Sequence, residues 1–167
     1  KAFEVIEAHW LFDMPYKQID VVIHRQSIVH SMIETADGIV KAHLGTADMR
    51  YPIQYALAYP ERIFNAALTP FDPVQIGNLT FEDMDSGLYP CFDMAIDIAQ
   101  RGGTWPAALM GADEGAVNAF LAGAIKFTEI PNVIRAVIDD HKVIEHPEIE
   151  DVIAAARDAS DSVARVA

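Results

Sequence analysis

Cysteine occurs once in the 167 residues, at Cys91. A single thiol excludes an intrachain disulfide and every Cys-x-x-Cys metal or redox motif. Cys91 follows Tyr89-Pro90 and precedes Phe92, which reads as a packed structural thiol in preference to a nucleophile. Basic residues are scarce, 12 Lys and Arg against 25 Asp and Glu, and the resulting net charge of −13 argues against nucleic acid as a partner. No apolar run approaches the ~20 residues that span a bilayer, so no membrane partner is expected and a cytoplasmic location is the default. There is no G-x-G-x-x-G, no Walker loop and no G-x-S-x-G, hence no recognisable nucleotide cradle or nucleophile elbow. Internal repeats and low-complexity segments are absent. Glu4, Glu7 and His9 have the wrong spacing for an H-E-x-x-H zinc helix. The stretch "KAFEVIEAHWLF" is amphipathic from its first residue, which suggests a helix whose upstream half is missing.

What is present is ordinary globular material, 51% hydrophobic and 22% charged, enough for a real core. Phe3, Ile6 and Trp10 recur at helical spacing, and Lys1 and Glu4 share a second face of the same helix, which should end near Phe12, before Pro15. "IDVVIHRQSIVHSMIETADGIVKAHL" is rich in β-branched residues. It predicts strands at 19–24, 28–35 and 39–44, the last two paired antiparallel about Asp37-Gly38. "GTADM" reads as a loop, Asp48 as a cap for the helix that follows, and Pro60 as that helix's end. From Glu61 to Leu88 no period is sustained. Phe64, Leu68, Phe71, Ile76, Leu79 and Phe81 nevertheless require cover, so this stretch reads as a long ordered connection. Four helices follow with short links. The first carries Phe92, Ala95, Ile96 and Ala99 and stops at Gly102-Gly103; Thr104 caps the second, Thr128 the third, and Pro147 opens the fourth, giving a small antiparallel bundle.

Candidate chemistry is sparse. His24 and His30 could share a strand face as metal ligands, although satisfied structural histidines are the simpler reading. His141 and His146 read as surface residues near helix ends. Asp113-Glu114 reads as an exposed or bundle-edge pair, and Met49 as core filler or an apolar contact for a flat ligand. Glu4 could supply one oxygen ligand to Mg²⁺ or Mn²⁺ if further carboxylates came from elsewhere, or could be a solvated residue on a helix face.

The runs "KAFEVIEAHWLF", "IDVVIHRQSIVHSMIE", "VKAHLGTADMRYPIQYALAYPERI", "LTFE", "YPCFDMAIDIAQRGGT" and "AVNAFLAGAIKFTEI" cover nearly the whole chain in order. Together they resemble the 1-deoxy-D-xylulose 5-phosphate reductoisomerase family of non-mevalonate isoprenoid biosynthesis. The resemblance implies an α+β chain: 1–60 as the remainder of a mixed α/β catalytic domain with a β-hairpin, 61–88 as a linker, and 89–167 as a small four-helix bundle. It implies that Lys1 contacts a sugar-phosphate substrate near its phosphate end. Glu4 is implied as a ligand of the catalytic Mg²⁺ or Mn²⁺ and a substrate contact through it, and Met49 as packing near the nicotinamide of NADPH. His30 matches a family histidine that supports the site. A homodimeric parent enzyme is implied, converting 1-deoxy-D-xylulose 5-phosphate to 2-C-methyl-D-erythritol 4-phosphate. The family's other metal carboxylates and its NADPH domain would lie upstream of Lys1, so the chain alone is expected to be inactive. The alternative is a non-catalytic fragment acting as a helical assembly module. Arg25 and Ala47 replace family prolines, and Met110, Gly111 and Asp113 depart from the family's bundle sequence, which bears on lid stiffness and bundle packing.

Overall fold

A computed structural model describes residues 1–167, except for the side chain of Ser86. The chain opens with helix α1 (Ala2–Phe12), closed by Asp13 in the left-handed conformation. Strands β1 (Val22–Ile23), β2 (Val29–Glu34) and β3 (Val40–Leu44) follow, then helices α2 (Arg50–Ala58) and α3 (Pro73–Ile76) and strand β4 (Glu82–Asp83). The remainder is helical: α4 (Pro90–Arg101), α5 (Trp105–Leu121), α6 (Ile130–Asp139) and α7 (Ile149–Val166). The α+β class and the helical bundle are as the sequence predicts. Contacts divide the chain into two compact units, one formed by Lys1–Asp20 with Asp85–Ala167, the other by Val21–Met84.

The first unit holds most of the core. Helix α6 buries Ile130, Val133, Ile134, Val137 and Ile138, an i, i+3, i+4, i+7, i+8 stripe that can only face inward. Helix α4 buries Met94, Ala95, Ile98 and Ala99 on one face, and Ala2 of α1 joins the same cluster. The buried face of α5 is made of small residues, Ala108, Gly111, Ala112, Gly115 and Ala116, with Leu109 among them. That flatness brings α7 very close: a Cβ on Gly111 would lie 1.9 Å from the carbonyl oxygen of Ala156, and one on Gly115 would lie 2.7 Å from Val163 Cγ2 and 3.0 Å from the Ser160 carbonyl. Gly111 meets Ala156 and Gly115 meets Ser160, so α5 and α7 run parallel. Helix α6 returns between them in the opposite sense, because the residue after its end, Asp140, leads into His141 beside Thr104 at the start of α5.

Four local expectations change here. Thr104 holds the N-cap position of α5, but its hydroxyl does not cap the helix. It is fully buried, lies 2.9 Å from His141 Nε2 and accepts the Ile144 N–H at 3.0 Å. His141 is accordingly half-buried, with its pKa lowered by burial, and is not the surface residue its acidic surroundings suggest. Thr128 does not cap α6: it lies within a short 3-10 turn, Phe127–Glu129, and Glu129 precedes the first turn of α6. In α1 the buried residues are Ala2 and Val5, while Trp10, at the end of the expected apolar stripe, is 71% exposed.

The second unit contains two small sheets. β2 and β3 form an antiparallel hairpin whose turn uses Gly38 at φ +81° and is tightened by Asp37, which accepts the Thr35 hydroxyl and the Ile39 N–H. β1 pairs antiparallel with β4, Val22 opposite Asp83 and Ile23 opposite Glu82. Arg25 grips Glu82 through two hydrogen bonds of 2.9 and 3.0 Å, and His24 stacks on Phe81 while its Nδ1 donates to the Thr80 carbonyl at 2.7 Å. Thus part of the stretch expected to be a connection supplies a strand. Leu68 is buried within it, whereas Phe64 stays exposed. The N-cap position of α2 is Met49, not Asp48 as expected, and Asp48, one residue earlier, accepts the Arg50 N–H at 2.9 Å. Among the described residues no helix is long and apolar enough to cross a membrane.

Candidate functional site

Helix α1 turns Ala2 and Val5 into the core, and the adjacent positions Lys1 and Glu4 therefore come to the outer face of its first turn. The structure brings these two predicted residues together: Lys1 Nζ donates to Glu4 Oε1 at 3.0 Å, and both side chains remain more than half exposed. The Lys1 ammonium holds the Glu4 carboxyl well below the ordinary glutamate value, against partial desolvation that acts the other way. Glu4 is therefore a permanently ionised, accessible carboxylate beside a cation, able to offer oxygen to a hard divalent ion while Lys1 faces an anion.

Glu4 fits such an ion as one ligand of a larger set. Among the described residues no group of three or more His, Cys, Asp or Glu side chains stands close enough to hold a metal. Mg²⁺ requires near-octahedral oxygen coordination, which one carboxylate does not supply.

Met49 lies in the other compact unit, 71% exposed, directly before α2. Its neighbours fix the loop: Asp48 takes the Arg50 guanidinium through Nε at 2.9 and 3.0 Å and through Nη2 at 2.5 Å, and the Thr46 hydroxyl donates to the Thr69 carbonyl at 2.8 Å. The Asp48 carboxyl is lowered and the Arg50 guanidinium raised by this pairing. A flexible thioether is thus presented on an anchored loop, as an apolar contact for a flat ligand would need.

Of the pair expected to be exposed or at the bundle edge, Glu114 is exposed and Asp113 is half-buried. Its carboxyl is pushed up by burial, and its charge adds to the burial that raises the Cys91 thiol. The signal lay in its spacing, since Asp113 falls on the stripe of Leu109, Ala112 and Ala116. A raised thiol pKa makes Cys91 a poor nucleophile, in keeping with a packing role.

Residues 44–162 match the family model described as the DXP reductoisomerase C-terminal domain. A 1-deoxy-D-xylulose 5-phosphate reductoisomerase of Geobacillus kaustophilus is 47% identical over 152 residues, which cover 91% of this chain and 40% of that protein. The enzyme of the same name from Thermomicrobium roseum is 48% identical over 165 residues, 99% of this chain and 43% of the relative. The Zymomonas mobilis reductoisomerase solved with NADPH superposes with a TM-score of 0.89 at 33% identity, over 99% of this chain and 43% of that one. A reductoisomerase solved with NADPH, fosmidomycin and magnesium gives 0.88 at 38% identity, covering 98% and 42%. The chain spans about two fifths of the length of these relatives. On a domain match that takes in more than two thirds of its residues, the chain belongs to the DXP reductoisomerase family.

Proposed function

We propose that this chain forms part of an NADPH- and divalent-metal-dependent reductoisomerase that converts 1-deoxy-D-xylulose 5-phosphate to 2-C-methyl-D-erythritol 4-phosphate. The observation that carries the reading is the Lys1–Glu4 pair: an exposed cation and an ionised carboxylate on one helical turn, in a chain whose relatives bear that activity in their names. Lys1 steers and holds the phosphate end of the substrate. Glu4 contributes one carboxylate to the Mg²⁺ or Mn²⁺ site and, through the bound ion, meets the substrate's oxygens; its pairing with Lys1 keeps it ionised and orients it. When bound, the ion supplies Lewis-acid polarisation and a template for the substrate's vicinal oxygens. Met49 packs beside the nicotinamide of NADPH.

We further propose that 1–60 completes a catalytic domain, 61–88 links it to the bundle, and 89–167 forms the bundle. That division follows the family's order along the chain, whereas the compact units follow contacts and join α1 to α4. The remaining metal carboxylates and the NADPH-binding domain come from the three fifths of the relatives' length outside the match. A homodimeric, cytoplasmic parent enzyme completes the reading, and sedimentation of that enzyme tests the dimer.

The deciding experiment is Glu4→Gln in the full-length parent. Turnover should fall by about a hundredfold to a thousandfold, as expected when a group stabilising transition-state charge is lost, with an unchanged circular dichroism spectrum. Near-normal turnover in a folded Glu4→Gln enzyme would remove Glu4 from the metal site.

A further inference from the structure

Residues 78–83 are held against the turn at 24–27 by three consecutive side chains, each with its own partner. His24 Nδ1 donates to the Thr80 carbonyl at 2.7 Å, and its ring stacks on Phe81 with ring centres 4.6 Å apart. Arg25 meets both carboxylate oxygens of Glu82, at 2.9 and 3.0 Å. Gln26 accepts the Thr80 hydroxyl at 3.0 Å and its N–H at 3.4 Å, and donates to the Asn78 carbonyl at 3.4 Å. The turn itself closes through the Ser27 N–H, which donates to the His24 carbonyl at 3.1 Å. Among the described residues, backbone joins the two segments only through the two-residue β1–β4 ladder. A ladder so short needs such side-chain support to persist.

A second anchor holds the same connection further upstream. The hydroxyls of Thr46 and Tyr51 both donate to the Thr69 carbonyl. Gln54 donates to the Ile63 carbonyl at 2.8 Å and accepts from Asn65 at 2.8 Å. The two anchors share no side chain, and α3 with Gly77 at φ +70° lies between them. One can therefore open while the other stays closed.

They differ in what controls them. The 63–69 anchor is neutral. The 78–83 segment carries Glu82 and Asp83, with Asp85 just beyond, and Arg25 supplies the cation that meets this acidic run. A bidentate guanidinium–carboxylate contact gives attraction and orientation together, and unlike the neutral bonds it weakens with added salt. His24 Nε2 opposes closure: it is buried with no hydrogen-bond partner among the described residues, and an unmet acceptor favours opening.

We propose that His24, Arg25 and Gln26 form a releasable latch on residues 78–83, controlled by the Arg25–Glu82 ion pair, so that the connection opens beyond Thr69 while its 63–69 anchor stays closed. Closed, the latch holds the chain as far as Asp83, just before it passes into the Asp85–Ala167 stretch. Open, the last hold is Thr69, and the free chain leading into Asp85 lengthens by the whole of 70–83. The latch is a conformational device separate from the Lys1–Glu4 pair.

The test is hydrogen exchange by mass spectrometry on the full-length parent, comparing the peptides that span 62–69 and 78–84. Raising sodium chloride from about 0.05 to about 0.5 M should speed exchange in 78–84 relative to 62–69. Arg25→Gln and Glu82→Gln should each speed it by about fivefold, the upper end for an exposed ion pair. The double variant should exchange no faster than either single one and should lose the salt response, because both substitutions remove the same contact. Equal acceleration of both peptides, effects that multiply in the double variant, or salt-independent exchange in 78–84 would overturn the latch. If a variant loses its circular dichroism signature, the salt response of the unaltered protein decides.

Discussion

Thr104 concentrates the residue-scale chemistry of the bundle. Its hydroxyl accepts the Ile144 N–H and partners His141 Nε2, and its own N–H donates to the Ile144 carbonyl at 3.1 Å. Thr104→Val keeps the shape and removes both side-chain interactions, leaving a backbone donor without an acceptor, and should cost about 1–3 kcal/mol in urea unfolding. His141 gives this clasp a pH dependence. Burial holds its pKa below the ordinary histidine value, so the unfolded chain takes up the proton first as pH falls. By linkage its contribution is complete above that ordinary value and declines as pH falls through the ordinary histidine range toward the lowered folded-state value. His141→Gln should therefore flatten the dependence of Tm on pH in that window. Glu4 has the opposite origin and a lower window: its depressed carboxyl contributes above the ordinary glutamate range, and the contribution is lost as pH falls toward 2. With both partners exposed, that second effect is small. Of these residues, Lys1 and Glu4 were legible from spacing and resemblance. Thr104 was legible only by position, because the partner its hydroxyl chooses lies 37 residues away.

Among the elements, the α5–α7 contact has the least tolerance. Gly111→Ala would drive a methyl into the Ala156 carbonyl, backbone that cannot rotate away. A loss of about 3 kcal/mol or more is expected in chemical denaturation, at the upper end of overpacking costs. Gly38→Ala meets open space and pays only for its left-handed φ, about 1 kcal/mol. Helices α4, α6 and α7 and the β2–β3 hairpin could be read from periodicity and from Asp37-Gly38, since each signal is local. The β1–β4 pairing could not be read, because two-residue strands carry no period and Glu82 finds Arg25 across 57 positions. Nor could the parallel approach of α5 and α7, since small residues signal closeness without naming the neighbour.

For the molecule as a whole, burial is unevenly shared. In the Val21–Met84 unit only Ile28 and Leu68 are buried among the hydrophobic residues, while the other unit holds the large cluster from Ala2 to Val163. Amide hydrogen exchange should be slowest in α4–α6 and much faster in β2 and β3, by at least about a hundredfold, because local opening there exposes little apolar surface. Comparable protection across both units would contradict this. Fold class was legible at this scale because helical and β-branched stretches separate cleanly along the chain. The joining of Lys1–Asp20 to the bundle was not, since no local pattern links α1 to α4.

That joining has a kinetic and topological consequence. The bundle-side unit is discontinuous, and α1 reaches α4 only after the whole Val21–Met84 segment has closed a loop between them. The entropy of that closure grows only slowly with loop length. A backbone cut in the exposed Thr35–Ile39 turn would change closure into association, and the severed halves should reassemble as a split protein, with β2 pairing to β3 across the cut and α1 docking on α4.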